Sequence, residues 1–348
     1  MFKKNTLLVL GAAVSHEVGM PLGSGLKKCI LDALPSQNAG DRFVRGTLYE
    51  GPDFATNLRA CDEIRTALPK AVSIDNLVEH RSGDAAFLRC AKVGIVAAIL
   101  KSEAQSLVYR AEGATVGSIL TADPSTYEAL FQIIVARASV GGLEDAVRSV
   151  RVVNFNYDRC LEHYFHDWLV GYSGLDHSHA WRVVEALPVV RPYGTVGPLA
   201  KMSGRSSKPV PFGARLEGLN LNELAGNILT FSEERASETD DRVREYVELS
   251  EQIIFLGCAY HPQNLALLRP NRSSWNTAYG TCYIVPPEDK MSHPNLDTFS
   301  APTAAAFTKA IQGWPVDNAL IQAKQRIPLF EPLTCLQLTE KYRVEWSR

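Results

Sequence analysis

Six short stretches of this chain are continuous and largely apolar: residues 6–10, 150–155, 189–191, 228–231, 253–256 and 282–285. A strand with one wet face alternates apolar and polar residues, whereas a run without alternation suits a strand covered on both faces. Such strands belong to parallel sheets, whose crossover connections lay helices over both sides. That pattern constrains the fold more than any other feature of the sequence.

Helix-like stretches lie between several of the runs, at about 22–34, 157–168, 233–249 and 303–324. The chain opens with a strand-like run, a small-residue turn at Gly11 and a helix beyond Pro21, the first unit of a doubly wound arrangement. The expected fold is α/β, a Rossmann-like doubly wound parallel sheet. Segments 53–68, 83–105 and 125–140 carry apolar residues at helical spacing, for example Phe87, Cys90, Ala91, Gly94, Ile95 and Ala98, with few strand signals between them. The expected organisation is therefore a sheet domain from 1–36 and 150–300, a helical insertion at 37–149 and a C-terminal helical appendage at 301–348. Residues 197–218, rich in Gly, Pro, Ser and basic residues, read as a long surface loop and a candidate lid.

Composition removes several function classes. A net charge of −2 over 348 residues lacks the basic excess of a dedicated nucleic-acid binder. With 46% apolar and 21% charged residues the chain is not disordered. Its seven cysteines are odd in number and scattered without a CxxC, which argues against a disulfide framework and a structural zinc site. No stretch reaches the roughly 18 apolar residues of a membrane span. Lys3, Lys4 and the apolar run 7–14 imitate a signal peptide, but the cysteine count and Glu17 favour a buried first strand in a cytoplasmic chain.

Two turns carry chemistry. Gly11-Ala12-Ala13-Val14-Ser15 follows the first run, and small residues there let backbone N–H groups approach an anionic ligand; a plain strand-to-helix turn reads equally well. Asn154-Phe155-Asn156-Tyr157-Asp158 places two amides and an acid at the carboxyl end of a buried strand, where open α/β sheets bind ligands. A side-chain amide there suits ribose hydroxyls or an attacking water, while Asp158 also fits as a cap of the helix that follows.

These residues carry a resemblance. GAAVS at 11–15 with GMP at 19–21 resembles the GAGxS…GxP opening of the sirtuin-like family, and NFNYDRCLE at 154–162 resembles the TTNYDxxLE motif of its bacterial antiphage-defence branch. IIFLGCAY at 253–260 is similar to that branch's late IxFxGxGF strand and turn, and 73–79 falls where those proteins place an acidic helical segment. The likeness covers roughly 1–35 and 150–290, in the same order. It implies an NAD glycohydrolase that releases nicotinamide and ADP-ribose as a defence effector, with NAD as substrate and no metal. Gly11, Ala12, Ser15 and Pro21 would then border the pyrophosphate side. Asn156 would hold the nicotinamide ribose and help place the water, Asp158 would order the turn, and Gly257 and Tyr260 would border the adenosine. Since such an enzyme must be restrained, control by a co-encoded partner or by homo-oligomerisation is expected, with neither nucleic acid nor membrane involved directly.

The chain departs from the family at its catalytic His, which normally precedes a glycine on a middle strand. Tyr193 stands there, and Arg191 stands where some relatives have HxYG; neither is a general base near pH 7. His261, after the late glycine turn, is the substitute candidate, with a plain loop His as the simpler reading. His163, His166, His177 and His179 form an HxxH…HxH series without an HExxH, more simply structural than metal-binding. The zinc module of deacetylating sirtuins, a GxxxxGK[ST] loop and a GxSxG elbow are all missing. Ser232-Glu233-Glu234 reads as a helix start, and Pro286-Pro287 as a turn or an adenine border. Two further readings compete: a catalytically silent NAD- or ADP-ribose-binding subunit of a defence complex, and a scaffold that binds no nucleotide.

Overall fold

The computed structural model describes residues 1–2, 4–36, 40–49, 53–110, 125–199, 208–230, 233, 235–269, 277–281, 329–331 and 334–347. Its strands are β1 (Thr6–Leu10), β2 (Val150–Asn154), β3 (Val189–Val190), β4 (Gln252–Leu256), β5 (Thr277–Thr281) and β6 (Leu329–Glu331). They form one sheet in the order β3-β2-β1-β4-β5-β6, every pair parallel, so the chain is an α/β protein. β1 pairs along its whole length with β2 and β4, and Leu10 stands level with Asn154 and Leu256. That register brings three carboxyl ends to one height.

Alternate residues of the central strands enter two cores. Leu8, Leu10, Val152, Ile254 and Leu256 point into a large helical core. It includes buried residues of α2 (Gly23–Ala33), α6 (Ala85–Gln105), α7 (Thr126–Val135) and α9 (Cys160–Ser173). Leu7, Val9, Val153, Ile253 and Phe255 face a smaller core with Val243, Tyr246 and Val247 of α12 (Ser237–Glu248) and Leu265 and Leu267 of α13 (Pro262–Leu267). Both sheet faces are covered, hence runs without alternation. Each large side chain so buried contributes about 1.5–3 kcal/mol. From Cys90 to Leu100 every residue of α6 is buried, the signature of a helix inside a core rather than on its surface. Among the described residues no helix is long and apolar enough to cross a membrane.

Around α6 lie α3 (Arg42–Tyr49), α4 (Phe54–Ala67) and α5 (Ile74–Glu79), and α8 (Leu143–Arg148) leads into β2. Ser73 caps α5 by accepting from the Asn76 N–H, and Ser125 with Glu128 forms a capping box that starts α7. The terminal α14 (Cys335–Trp346) packs on α7.

Several expectations shift. Residues 228–230, the described part of the run at 228–231, do not enter the sheet: α11 (Leu221–Gly226) ends just before them, and Ile228 makes an isolated antiparallel bridge to Gly194. Leu229 N–H then donates to Tyr193 O, so these residues fasten the loop after β3 instead of extending the sheet. α10 (His177–Ala186), absent from the sequence reading, rests on a sparse stripe of Ala180, Val183 and Val184, with Asp176 as its cap. The described parts of the 197–218 loop form neither helix nor strand, yet Val210, Phe212 and Leu216 are buried. The run at 282–285, Pro286-Pro287 and the helix at 303–324 lie outside the described residues, as do Phe231, Ser232 and Glu234.

Candidate functional site

The sheet order reverses between β1 and β4, and the connections that leave their carboxyl ends diverge there. In open α/β sheets this opens a crevice. Gly11 follows β1, Asn154 to Asp158 follow β2, and Gly257 follows β4. Gly257 has φ 69°, a left-handed conformation that favours glycine. A Cβ on Gly11 would lie 2.4 Å from Gly257 O, and one on Gly257 would lie 2.7 Å from Val14 N. The two glycines therefore let the turns touch backbone to backbone. Gly11 N–H donates to Leu256 O at 2.9 Å and Ala13 N–H to Gly257 O at 3.3 Å. Two donors of the glycine turn thus serve the protein itself, and Ala12 is its exposed residue.

Inside the turns lies a densely bonded polar cluster. The Asn156 side chain donates to Gly11 O at 3.0 Å and to Ser15 Oγ at 3.1 Å. A backbone carbonyl only accepts, which fixes Nδ2 on that side and leaves Oδ1 as the remaining acceptor. Ser15 Oγ donates to Asp158 Oδ1 at 3.0 Å and lies 2.9 Å from the Tyr127 hydroxyl. With its one proton given to Asp158, Ser15 accepts from both Asn156 and Tyr127. Asp158 also receives the Cys160 N–H at 3.1 Å, which holds the first residue of α9. Burial pushes the Asp158 carboxyl up, and the nearby Arg191 charge opposes that. Ser15 is 1% exposed, so its hydroxyl belongs to the framework and not to the crevice surface. Asn154 closes the turn by accepting from Asn156 N–H at 3.0 Å; its own buried Nδ2 has no partner among the described residues.

The remaining expected residues form a rim. Arg191 grips Glu162 through two bonds of 3.1 and 2.6 Å and donates to Asn156 O at 2.7 Å. Tyr193 is buried, and its hydroxyl donates to Asn264 Oδ1 at 2.6 Å; burial raises its pKa well beyond the usual range. Tyr260, with φ 52°, packs on Phe255 in the smaller core. His261 caps α13, its Nδ1 accepting from Gln263 N–H. Burial lowers the His261 pKa, and with Nδ1 accepting from Gln263 the proton of the neutral ring sits on Nε2. Pro21 is half-buried beside the first turn of α2.

Sequence reasoning gave no role to Asp75, Glu79 or Gln263. Tyr157 of the turn bonds to Asp75 at 2.9 Å, and Gln263 bonds to Glu79 at 2.7 Å, which ties α5 to the strand ends at two points. The local signals at 73–79, that segment's place as an acidic helical stretch and the Ser73 cap, announce a helix but not its partners.

Three of the histidines gather near Asp167, with His163 Nε2 lying 3.8 Å from its Oδ2. His163 Nε2 bonds to Val108 O, while His166 lies between Asp167 (2.7 Å) and His177 (3.3 Å) and stacks on Trp181. Among the described residues no group of three or more His, Cys, Asp or Glu side chains is arranged to hold a metal ion. A cavity of about 590 Å³ lies beside β3, the edge strand of the described sheet, lined by Glu162, Val189, Arg191, Gly194 and Arg242. No family model, curated protein or solved structure matches this chain.

Proposed function

We propose that this protein is a sirtuin-like NAD glycohydrolase, a Rossmann-like doubly wound domain that takes NAD across the carboxyl ends of β1, β2 and β4. The strand order and the helices on both faces support that architecture. The observation that carries the function is Asn156: both amide hydrogens are committed to Gly11 and Ser15, so Oδ1 is a pre-oriented acceptor beside the point where the sheet order reverses. In this reading Oδ1 accepts from a ribose hydroxyl or the attacking water. Nicotinamide is a good leaving group, so holding the ribose and placing one water supply much of the rate. His261 is the candidate to take the water's proton, at Nδ1, which must first release the Gln263 N–H that it caps. The backbone of Ala12 and the half-buried Pro21 are what the glycine turn offers a pyrophosphate, since Gly11, Ala13 and Ser15 are already bonded within the fold. As a defence effector in the cytoplasm, the enzyme would be held in check by a partner chain or by self-assembly.

One observation favours a second reading, an NAD- or ADP-ribose-binding subunit without turnover: Tyr193 stands at the family's His position with its hydroxyl given to Asn264. Nicotinamide release, measured with the chain alone and with its neighbouring gene products, separates the two. Asn156→Ala is expected to lower release by about 10²-fold or more while the protein stays folded. Unchanged release in that variant overturns the assignment of Asn156. NAD binding without release under both conditions selects the second reading.

A further inference from the structure

Tyr157 stands between two acceptors. Its hydroxyl oxygen lies 2.9 Å from Asp75 Oδ1 on α5 and 3.0 Å from Leu229 O. A tyrosine hydroxyl carries one proton and a backbone carbonyl none, so both contacts are full hydrogen bonds only if a second proton sits on Asp75. We propose that Asp75 is a carboxylic acid in this arrangement, donating to Tyr157 while Tyr157 donates to Leu229, and that this relay is a proton-operated clasp positioning the rim of the site.

What the clasp holds follows from its neighbours. Leu229 N–H donates to Tyr193 O at 3.0 Å, Ile228 bridges Gly194, and Thr195 Oγ1 donates to Tyr157 O at 2.7 Å. The relay therefore links α5, the turn after β2 and the segment 193–195. When Asp75 ionises it becomes an acceptor only, Tyr157 turns its proton towards the carboxylate, and the Leu229 carbonyl loses its donor. Burial raises the Asp75 pKa to about 6, against the lowering effect of the Tyr157 bond and its own backbone N–H. The groups facing this relay are Tyr193 and Glu233, which act on Tyr157, together with Arg235 over the Tyr193 ring. Glu79 lies one turn further along α5 and acts on His261. Glu233 is itself paired with Lys92 at 2.8 Å. Asp75 is a positioning residue, acting through Tyr157 on the rim; only its consequence for turnover rests on the glycohydrolase reading.

The sign is definite. An aspartate of ordinary pKa 3.8 that rises to about 6 on folding binds its proton more tightly in the folded protein. Its contribution to stability is complete below about pH 4 and is lost as the pH rises through about 6. Asp75→Asn keeps a donor for Tyr157 at every pH and cannot ionise, so thermal unfolding of both proteins from pH 4 to pH 8 tests the clasp. The melting temperatures are expected to agree near pH 4 and to separate through pH 6, with the variant the more stable at pH 8. A difference independent of pH, or a variant less stable at pH 8, overturns the proposal. A second measurement needs no variant at position 75: the infrared band of a protonated carboxyl, present in the wild-type protein at pH 5 and shifted by Tyr157→Phe. Absence of that band, or a band blind to Tyr157→Phe, refutes it. Failure of NAD hydrolysis by itself would count against the functional reading and leave both of these readouts intact.

Discussion

The turn after β2 has two unlike sides, with Arg191 between them. On the inner side, Asn156, Ser15, Tyr127 and Asp158 are buried and bonded to one another and to the backbone of Gly11. On the outer side, Glu162, Arg191 and Arg242 border a cavity of about 590 Å³. The inner side is where the topology directs ligands, yet it is closed by the protein's own bonds; the outer side is roomy, yet lies along the edge strand. The cavity and the strand ends where open α/β sheets bind ligands are therefore separate places. A buried polar cluster is costly unless its members are paired, which makes the inner side rigid; the Arg191–Glu162 pair on the outer side is itself only 11% and 10% exposed, so it is not an ordinary surface ion pair.

Substitutions can break or sharpen that contrast. The largest effect is expected at Arg159, whose guanidinium bonds twice to Glu103 and also to Val210 O and Pro211 O, both partners being buried. Arg159→Ala leaves Glu103 unpaired in the core and should cost about 3–5 kcal/mol in urea unfolding. Gly11→Ala comes next, at about 2–3 kcal/mol, because its Cβ meets Gly257 O at 2.4 Å and the two turns must separate. Asn156→Ala removes two bonds of the inner cluster and should cost about 1–2 kcal/mol, well below its effect on nicotinamide release. Arg191→Lys should come close to that, at about 1–2 kcal/mol, since lysine retains the charge but loses the paired bonds to Glu162 in that largely buried pair. An Arg191 variant as damaging as Gly11→Ala would show that the inner cluster depends on the Arg191 bond to Asn156 O, and the two sides would then be one unit.

The central strands were legible in the sequence because burial on both faces imposes a local pattern. β1, β2 and β4 stand within a residue of where continuous apolar runs end in Gly11, Asn154 and Gly257. β5 was missed, since Thr277-Ala278-Tyr279-Gly280-Thr281 lacks such a run, and of the run at 228–231 the described residues 228–230 fasten a loop. α10 escaped notice because its apolar stripe is three residues wide. Of the expected site, Gly11, Ser15, Asn156, Asp158 and Gly257 do meet at the strand ends. Tyr260 packs into the smaller core instead, where its apolar ring finds Phe255.

The sequence by itself determined the α/β class, the doubly covered central strands and the place where polar turns emerge from them. These follow from periodicity and turn chemistry, which act over a few residues. Tertiary structure alone decided what each polar atom does. Asn156 finds Gly11 and Ser15 from 145 and 141 residues away, Ser15 finds Tyr127 across 112, and Tyr157 finds Asp75 across 82. No local pattern encodes such pairings. They arise when packing removes water from several groups at once and each must take the partner that the fold has brought within reach.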